Sequence, residues 1–333
     1  MRAPVLTFFN NKGGVGKTSL VYHVAWMLAH QGRRVLVVDL DPQANLTAAF
    51  LQEKQLDSLW DGNAGSARTI YQCVSPLTKV GDLREPTLRR CGRGLHLLCG
   101  DLALSRFEDQ LSTGWAAYAT DEPYRAYRVV SAFWLVIALG AESCEADIVL
   151  IDVGPSLGAI NRSALIATDF VIVPLAADIF SRQGLRNLGP TLFDWREGWR
   201  KRRAEWAQPE FELPVGKMQP IGYLIQQHGV RLSRPVRAYD HWVRQMPAEY
   251  ARHVLRESPA PSPQDPSNDP HCIATVKHYR SLIPLARSAR KPIFDLAAAD
   301  GALGAHAVAA SDAGRDFREI VSTIRRRIND LAD

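Results

Sequence analysis

A short run of glycines, lysines and a threonine near the start of the chain has the composition of a phosphate-binding loop. Residues 10–18 read Asn-Asn-Lys-Gly-Gly-Val-Gly-Lys-Thr and follow an apolar run from Val5 to Phe9. The three glycines let backbone N–H groups come close to anionic oxygens. Lys17 supplies a positive charge for the β- and γ-phosphates, and the Thr18 hydroxyl supplies a ligand for Mg²⁺. The run therefore predicts a nucleotide site.

The elements on either side of this loop fit the same chemistry. A strand is predicted before it and a helix after it, from about Lys17 to His30, so that the positive end of the helix points at the phosphates. The general pattern G-x-x-x-x-G-K-[ST] would place glycine at position 11, where this chain has Asn11. Asn tolerates positive φ better than most other residues, so we expect Asn11 to preserve the turn.

Short apolar runs rich in β-branched residues alternate with helical stretches along the chain. Such continuous runs are typical of strands buried on both faces of a parallel sheet, and the gaps between them are long enough for crossover helices. We therefore predict an α/β fold, with a doubly wound, mostly parallel sheet flanked by helices. The predicted strands are Val5–Phe9, Val35–Asp39, Leu95–Leu98, Ile148–Asp152, Phe170–Pro174 and Ile221–Ile225.

Composition narrows the class of protein. The 333 residues are 46% hydrophobic and carry a net charge of +5, which favours a polyanionic partner. The five cysteines form no C-x-x-C pair, so we expect reduced thiols in a cytoplasmic protein. The first strand begins too early to leave room for a signal peptide, and no apolar run approaches the roughly 18 residues of a spanning helix. We predict one domain over residues 1–333.

The second lysine of the loop, Lys12, is the more specific feature. The segment from Lys12 to Ser19 resembles the deviant Walker A motif of the ParA/MinD family of ATPases. Residues 34–45, with Asp-Leu-Asp-Pro-Gln-Ala-Asn at their end, are similar to that family's second-strand signature. Residues 148–158 are similar to its Walker B strand and the following loop. The resemblance implies a P-loop NTPase fold that binds ATP and Mg²⁺, and slow, partner-stimulated ATP hydrolysis.

The resemblance also implies roles for single residues. Asp41 would orient the attacking water, while Thr18, Asp39 and Asp152 would act at Mg²⁺. For Asp39 and Asp41 the alternative is a plain helix N-cap or turn former. Lys12 would act with Lys17 and Asp41 in catalysis, by reaching the phosphates held by a partner subunit. The residues implied to bind the nucleotide are Lys12, Gly13, Gly14, Val15, Gly16, Lys17, Thr18, Ser19 and Gln226.

Two stretches depart from the family's pattern. Where the family usually has Pro-Pro-Ser after the Walker B strand, this chain has Gly154-Pro155-Ser156, which we expect to loosen that loop. The polar residues available to the adenine base are Gln226 and Gln227, but residues 280–286 do not complete the family's pocket. ATP is thus implied by the resemblance alone.

Two segments look like additions to a compact domain, and a third reads as a loop. Insertions are predicted near residues 53–67 and 112–127, and the second is rich in aromatic residues, so that it is either a cap or partner surface or a packed loop. Residues 257–269 contain four prolines and are predicted to be a mobile surface loop.

Clusters of basic residues toward the C-terminal side suggest which partner the protein binds. The resemblance implies an ATP-dependent homodimer that binds DNA without sequence preference, and a ParB-like activating partner. Arginine and lysine contacts to phosphates would supply that affinity, although each cluster can also be a solvated helix face. The candidate DNA contacts are Arg200, Lys201, Arg202, Arg203, Arg287 and Arg290.

The function predicted from these features is that of a ParA-like, nucleoid-associated ATPase. It would partition or position a plasmid, a chromosome or a protein cargo and release it on hydrolysis. One alternative is a MinD-like positioning ATPase on a membrane surface, anchored by a final helix over residues 316–331. That helix has the apolar spacing of a core helix, so a membrane partner is not expected. A second alternative is an ATP-dependent ligase or synthase on the same scaffold.

Overall fold

A single sheet with helices between its strands forms the framework. The computed structural model describes residues 2–61, 66–79, 81–117, 123–206, 211–226, 241–257, 265–276, 279 and 282–331. The strands are β1 Val5–Phe8, β2 Val35–Asp39, β3 Arg89–Gly92, β4 Leu95–Leu98, β5 Ile148–Asp152, β6 Phe170–Ala176, β7 Gln219–Gln226 and β8 Cys272–Val276. They form an eight-stranded sheet in the order β3-β4-β2-β5-β1-β6-β7-β8.

The helices fill the connections between these strands. They are α1 Lys17–His30, α2 Asn45–Phe50, α3 Glu53–Trp60, α4 Ile70–Val74, α5 Glu108–Ala116, α6 Pro123–Val130, α7 Ala132–Ser143, α8 Ala159–Ile166, α9 Ile179–Glu205, α10 Met246–Tyr250, α11 Leu282–Ala289 and α12 Ala305–Asp330. The predicted α/β class, with a mostly parallel sheet flanked by helices, is confirmed.

The chain divides into two compact units, each made of several segments. The first unit comprises Met1–Thr7, Leu28–Val171 and Phe193–Gln219, and the second comprises Phe8–Met27, Ile172–Leu192 and Pro220–Asp333. In the first unit, β2 runs parallel to both β4 and β5. In the second unit, β7 runs parallel to β8 with a register shift after Tyr223.

Burial explains why the strands could be predicted. Every residue of β2, β5 and β6 is buried, as expected for parallel strands covered on both faces. Three predicted strands have the observed bounds, and the other three differ by one to three residues at their ends. The two strands that were missed, β3 and β8, are only partly buried. Strand β3 has no apolar run, and the apolar run of β8 is short and interrupted by Thr275. Strand β3 is also the antiparallel edge of the sheet and contains a bulge after Arg90.

The described parts of the predicted insertions are helical. Helix α3 lies within the first, and residues 62–65 are outside the described part of the chain. The second predicted insertion contains the end of α5 and the start of α6, and its residues 118–122 lie outside the described part of the chain. Its Trp115 and Tyr127 are buried, and Trp115 donates its Nε1–H to Ser163 Oγ at 2.9 Å. These two aromatic side chains therefore belong to the core.

The C-terminal segments correct two predictions. Residues 258–264 of the predicted mobile loop lie outside the described residues, but Pro266–Asn268 form a 3₁₀ turn that the prediction of an irregular loop did not include. Asp265 caps this turn by accepting the Ser267 N–H at 2.9 Å. The final helix begins at Ala305, eleven residues before the predicted start at 316.

The apolar side chains of α12 face the protein interior. Phe317, Ile320, Val321, Ile324 and Ile328 are buried, which agrees with a packed terminal helix and not with a membrane anchor. Within the described ranges no single helix is long and apolar enough to cross a membrane, although α6 and α7, bent by 53°, pass that test together by length and composition. All five cysteines are free thiols, as predicted.

Candidate functional site

The phosphate loop lies between β1 and α1 and turns at two glycines. Gly14 and Gly16 have φ of +73° and +74°, a region that favours glycine. A Cβ added at Gly14 would meet nothing within 4 Å, so its backbone angle alone requires glycine there. The turn is preserved with asparagine at position 11, as expected, although Asn11 itself does not take positive φ. Because the turn is made at residues 14 and 16, position 11 needs no glycine.

Lys17 is buried and folds back over the loop. Its Nζ donates to the backbone oxygen of Asn10 at 3.0 Å and of Lys12 at 3.1 Å. The Asn10 side chain accepts the Lys12 N–H at 2.9 Å and donates to Pro174 O on β6 at 2.7 Å. These bonds hold the ammonium group at a fixed place over the loop, as a phosphate-binding lysine requires.

Lys12 is engaged within its own chain. Its Nζ forms an ion pair with the Asp178 carboxylate and lies 5.7 Å from the centre of the Phe180 ring. Asp178 also accepts the Ser181 N–H at 2.8 Å, which caps the first turn of α9. Burial opposes the charged form of Asp178, but the hydrogen bonds from Lys12 and Ser181 outweigh it and lower the pKa of this carboxyl group.

Gln226 lies against the phosphate loop. Its Nε2 is 3.5 Å from Gly16 O, and a Cβ added at Gly16 would come within 2.2 Å of this side-chain amide. The glycine is thus needed both for its φ and for the approach of Gln226. The second glutamine considered for the adenine pocket, Gln227, lies outside the described residues. The remaining loop residues predicted to bind nucleotide comprise one buried side chain, Val15, and the half-buried or exposed Gly13, Thr18 and Ser19.

Asp39 ends β2 with its carboxylate fully buried. One oxygen accepts the backbone N–H and the hydroxyl of Thr47 at 2.8 and 2.7 Å, and the other accepts the Asp41 N–H at 3.2 Å. The Thr47 hydroxyl in turn accepts the Gly100 N–H at 2.7 Å. Burial raises the pKa of Asp39 to about 7, although the hydrogen bonds from Thr47 act against this rise. Asp39 thus binds the third residue of α2 from outside the helix, whose N-cap position is Ala44, and its role at Mg²⁺ stays a prediction.

Asp41 sits in a strained turn between β2 and α2. Its carboxylate accepts the Gln43 N–H at 2.9 Å. Three residues on, Ala44 takes φ of +51°, which is uncommon for a residue with a side chain. The backbone of Gly154 runs beside the same carboxylate, since a Cβ added there would lie 3.2 Å from Asp41 Oδ1. Glycine in place of the family's proline at 154 thus leaves room for Asp41.

Asp152 ends β5 directly beside Asp39. The two residues are register partners on adjacent parallel strands, so both carboxylates start from the same end of the sheet. Among the described residues, no group of three or more His, Cys, Asp or Glu side chains is arranged to hold a metal ion. Proteins usually bind Mg²⁺ through one or two carboxylates together with substrate phosphates and water, and the role of Asp152 at this ion stays a prediction.

The loop after β5 is tied down by a buried asparagine. The Asn161 side-chain amide donates to Gly154 O and to Ser156 O, at 2.7 Å in each case. The loosening predicted from the Gly154-Pro155 sequence is therefore opposed by direct hydrogen bonds. Sequence reasoning missed three residues that hold parts of this site, because no local motif marks them: Thr47 at Asp39, Asn161 at the loop after β5, and Asp178 at Lys12.

The basic cluster at the end of α9 does not present one uniform face. Arg200, Lys201 and Arg203 are exposed, and Arg200 pairs with Glu197 at 2.9 Å. Arg202 is half-buried, with its guanidinium 5.1 Å from the centre of the Trp115 ring. Of the predicted DNA contacts in this cluster, three are thus available to a partner and Arg202 packs inward.

Two other groups of basic residues lie near a cavity and at the end of α11. Arg200 and Arg203 line a cavity of about 660 Å³ together with Arg2, which the sequence did not single out. The Arg2 guanidinium lies 4.1 Å from the centre of the Trp134 ring. The other predicted contacts lie at the end of α11, where Arg287 is exposed and Arg290 is half-buried with φ of +50°.

Sequence comparison places these features among known proteins. The profile of a family described as "AAA domain" matches residues 3–201. The chromosome partitioning protein ParA of Caulobacter vibrioides is 32% identical over 188 residues, which cover 56% of this chain and 61% of ParA. The chain spans about half to two thirds of the length of the curated relatives that it matches.

Two solved structures are similar over most of the chain. Protein DIP2308 from Corynebacterium diphtheriae superposes with a TM-score of 0.69 at 25% identity, over 98% of this chain and 99% of that protein. Cobyrinic acid a,c-diamide synthase from Mycobacterium smegmatis, solved with ADP and magnesium, superposes with a TM-score of 0.50 at 26% identity, over 72% of this chain and 79% of the synthase. A protein with a similar fold therefore binds ADP and magnesium.

Proposed function

The chain belongs to the ParA/MinD family of P-loop ATPases, and from this premise we propose that it is a partition-type ATPase. ATP brings two copies together, the dimer binds duplex DNA without sequence preference, and hydrolysis releases a plasmid, chromosome or protein cargo. The observation that carries the proposal is the phosphate loop, in which Lys17 is fixed over the turn and a second lysine, Lys12, is present.

The proposed nucleotide site uses the loop for the phosphates. Gly14 and Gly16 turn the backbone so that N–H groups are available to anionic oxygens, and Lys17 adds a fixed positive charge. Thr18, Asp39 and Asp152 are the proposed residues for Mg²⁺. The bound ion neutralises the charge that develops on the phosphates. The buried Asp39 carboxyl group, with its raised pKa, is suited to becoming fully charged when a cation arrives.

Asp41 is proposed to orient the attacking water. Phosphoryl transfer depends mainly on positioning and on electrostatic stabilisation, so a carboxylate held by its own turn is suited to this task. The Gln43 N–H and the backbone of Gly154 fix where the Asp41 carboxylate lies. Lys12 is proposed to reach the phosphates of the partner subunit, for which its pair with Asp178 must open. That pair is partly exposed, and such pairs are worth only about 0.2–1 kcal/mol.

The exposed end of α9 is the proposed DNA contact. Arg200, Lys201 and Arg203 can each neutralise a phosphate, which gives affinity that falls steeply with salt. Arg287 and Arg290 are a second proposed contact. An activating ParB-like protein and association with the nucleoid in the cytoplasm follow from the same proposal.

A second candidate is an ATP-dependent synthase or ligase. The observation that favours it is the similarity to cobyrinic acid a,c-diamide synthase over 72% of this chain. Such an enzyme would couple ATP hydrolysis tightly to formation of a product, whereas a partition ATPase turns over slowly until DNA and a partner protein are present.

Substitution of Asp41 tests the proposed mechanism. In Asp41→Ala, we expect turnover to fall by about 10²–10⁴ while ATP binding persists, because the water loses its orienting group. Light scattering should then find a lasting dimer with ATP, whereas the wild-type protein returns to monomer as ATP is consumed. Asp57→Ala, which removes an exposed carboxylate on α3, serves as the matched control. Normal turnover in Asp41→Ala would contradict the role of this residue.

A further inference from the structure

The helix that follows the loop after β5 is capped by a residue from a distant part of the chain. Glu108, the first residue of α5, accepts the N–H of Ala159 with one carboxylate oxygen at 2.6 Å and the N–H of Ile160 with the other at 2.9 Å. These are the first two residues of α8, where backbone donors have no partner within the helix. A carboxylate at this end is also favoured by the helix dipole.

The chain is shaped to admit this carboxylate. A Cβ added at Gly158, the residue before α8, would lie 2.6 Å from Glu108 Oε1. Gly158 has φ of −76°, which any residue can adopt, so its backbone angle does not require glycine. The close approach of Glu108 gives a physical reason for glycine at this position.

Asn161 holds the same loop from the other side. Its amide group donates to Gly154 O and Ser156 O, and the residue is 1% exposed. Glu108 fixes the point where the loop enters α8, and Asn161 fixes the loop backbone itself. Residues 154–158 are therefore held by two side chains that lie outside them.

The position of this loop bears directly on Asp41. Gly154 runs so close to the Asp41 carboxylate that an added Cβ would be 3.2 Å from Oδ1. A shift of the loop by a fraction of an ångström therefore changes the space in which Asp41 can place a water. Positioning errors of this kind reduce the rates of reactions that depend on near-attack geometry.

We propose that Glu108 is a positioning residue for ATP hydrolysis, which acts by anchoring α8 and so placing residues 154–158 beside Asp41. The inference rests on the proposed function of Asp41. It assigns to α5 a role that no motif indicates, since the contact joins residues 51 positions apart. Hydrogen bonds from backbone N–H groups to a carboxylate are roughly twice as strong as neutral ones, so a neutral side chain holds the loop less well.

The test compares Glu108→Gln with Asp109→Asn. Asp109 is the next residue of α5 and is exposed, so its variant removes the same charge from the same turn without touching the loop. For Glu108→Gln we expect kcat at least about tenfold lower, equivalent to about 1.4 kcal/mol, with the KM for ATP nearly unchanged. Hydrogen exchange of the amides in residues 154–162 should be faster. Asp109→Asn should behave as the wild-type protein does in both measurements.

A second variant changes the residue on the loop side of this contact. Gly158→Ala places a methyl group where Glu108 Oε1 lies, and we expect the same fall in kcat. Because both changes break one contact, the double variant should be no slower than the slower single variant. If Glu108→Gln does not fold, Gly158→Ala alone keeps the test decisive, because it disturbs the contact while leaving Glu108 in place.

The outcomes separate the inference from the proposed function. Faster hydrogen exchange with an unchanged kcat would make Glu108 a structural cap only, which would overturn the inference. A lower kcat with unchanged exchange would also overturn it, and so would additive effects on kcat in the double variant. A wild-type protein without ATPase activity would instead refute the proposed function, and the inference would fall with it.

Discussion

The phosphate loop and the acidic loop that carries Asp41 are held in place in different ways. The phosphate loop is braced partly by its own residues, since Lys17 donates to Asn10 O and Lys12 O and two glycines set the turn. Pro174 and Asp178 add contacts to the side chains of Asn10 and Lys12. The acidic loop depends on remote side chains and backbone. Asp39 is bonded to Thr47, whose hydroxyl binds Gly100 N at a separation of 53 residues.

Because of this difference, the residues that affect nucleotide binding and those that affect hydrolysis lie in different parts of the sequence. Changes within residues 10–19 act directly on the phosphate site, whereas changes as distant as Glu108 act on the surroundings of Asp41. Substitutions in the two loops should therefore separate the affinity for ATP from the rate of turnover.

Lys17→Ala, in the phosphate loop, should have the largest effect of these variants, and it should act on the affinity for ATP. The variant loses the charge for the phosphates and both bonds that cross the loop. We expect ATP affinity to fall at least about a thousandfold, equivalent to about 4.1 kcal/mol, as measured by calorimetric titration. Lys201→Ala, which removes an exposed lysine of α9, should leave the affinity unchanged. Retained affinity in Lys17→Ala would show that this loop is not the site.

His23 makes the helix behind the phosphate loop sensitive to acid. The ring is buried, stacks on Phe317 at 4.9 Å and bonds to Ser19 O at 2.7 Å. Burial lowers its pKa to about 4 from 6.5, so the unfolded state takes up a proton first as the pH falls. The contribution of His23 to the free energy of unfolding is complete above about pH 6.5 and is lost as the pH falls towards 4. At 1.36 kcal/mol per pKa unit, this loss is roughly 3 kcal/mol.

Denaturant unfolding between pH 4 and pH 7 measures this loss. The free energy of unfolding should depend less steeply on pH in His23→Gln than in the wild-type protein. His30→Gln changes an exposed histidine of the same helix and is the matched control. Parallel pH profiles for the wild-type protein and His23→Gln would remove His23 from this account.

Thr47→Val tests the remote bracing of Asp39. The valine deletes the hydroxyl that donates to Asp39 and accepts from Gly100 N, which leaves buried polar groups without this partner. We expect the free energy of unfolding to fall by about 1–3 kcal/mol. The pKa of Asp39 should rise further, because the Thr47 hydrogen bonds lower it. Thr47→Ser keeps the hydroxyl and should lose much less stability; equal losses in both variants would contradict the hydrogen-bond explanation.

Asp178→Asn should have the smallest effect. Asparagine still caps α9 through the Ser181 N–H but offers no charge to Lys12. If the pair holds Lys12 within its own chain, ATP-driven dimerisation should strengthen about two- to fivefold, as expected for a partly exposed ion pair. Sedimentation with ATP measures this, with Asp194→Asn on the exposed face of α9 as control. Weaker dimerisation in Asp178→Asn would mean that Asp178 supports Lys12 instead of restraining it.

The same contrast explains what the sequence could predict. The start of α1 at Lys17 and the end of β2 at Asp39 follow from local patterns, and both are observed. The turn was expected to survive Asn11 and does, but the pattern does not show that residues 14 and 16 make it. Strand β3 was missed because an edge strand has no continuous apolar run.

The contacts of Thr47, Asn161 and Glu108 could not be predicted because they join residues that only the fold brings together. A threonine, an asparagine and a glutamate at these positions are compatible with many local structures. The roles of Asp41, Asp152 and Lys12 in the reaction remain predictions, as do the contacts of Arg200, Lys201 and Arg203 with DNA.

Duplex DNA binding at two salt concentrations, with ATP, with ADP and without nucleotide, is the direct test of the proposed switch. We expect binding only with ATP, with an affinity that falls steeply as salt increases. Reversing the charges of Arg200, Lys201 and Arg203, with Arg202 kept because it packs on Trp115, should flatten that dependence. Absence of binding under every nucleotide condition, or equal binding without nucleotide, would contradict the proposed partition-type switch.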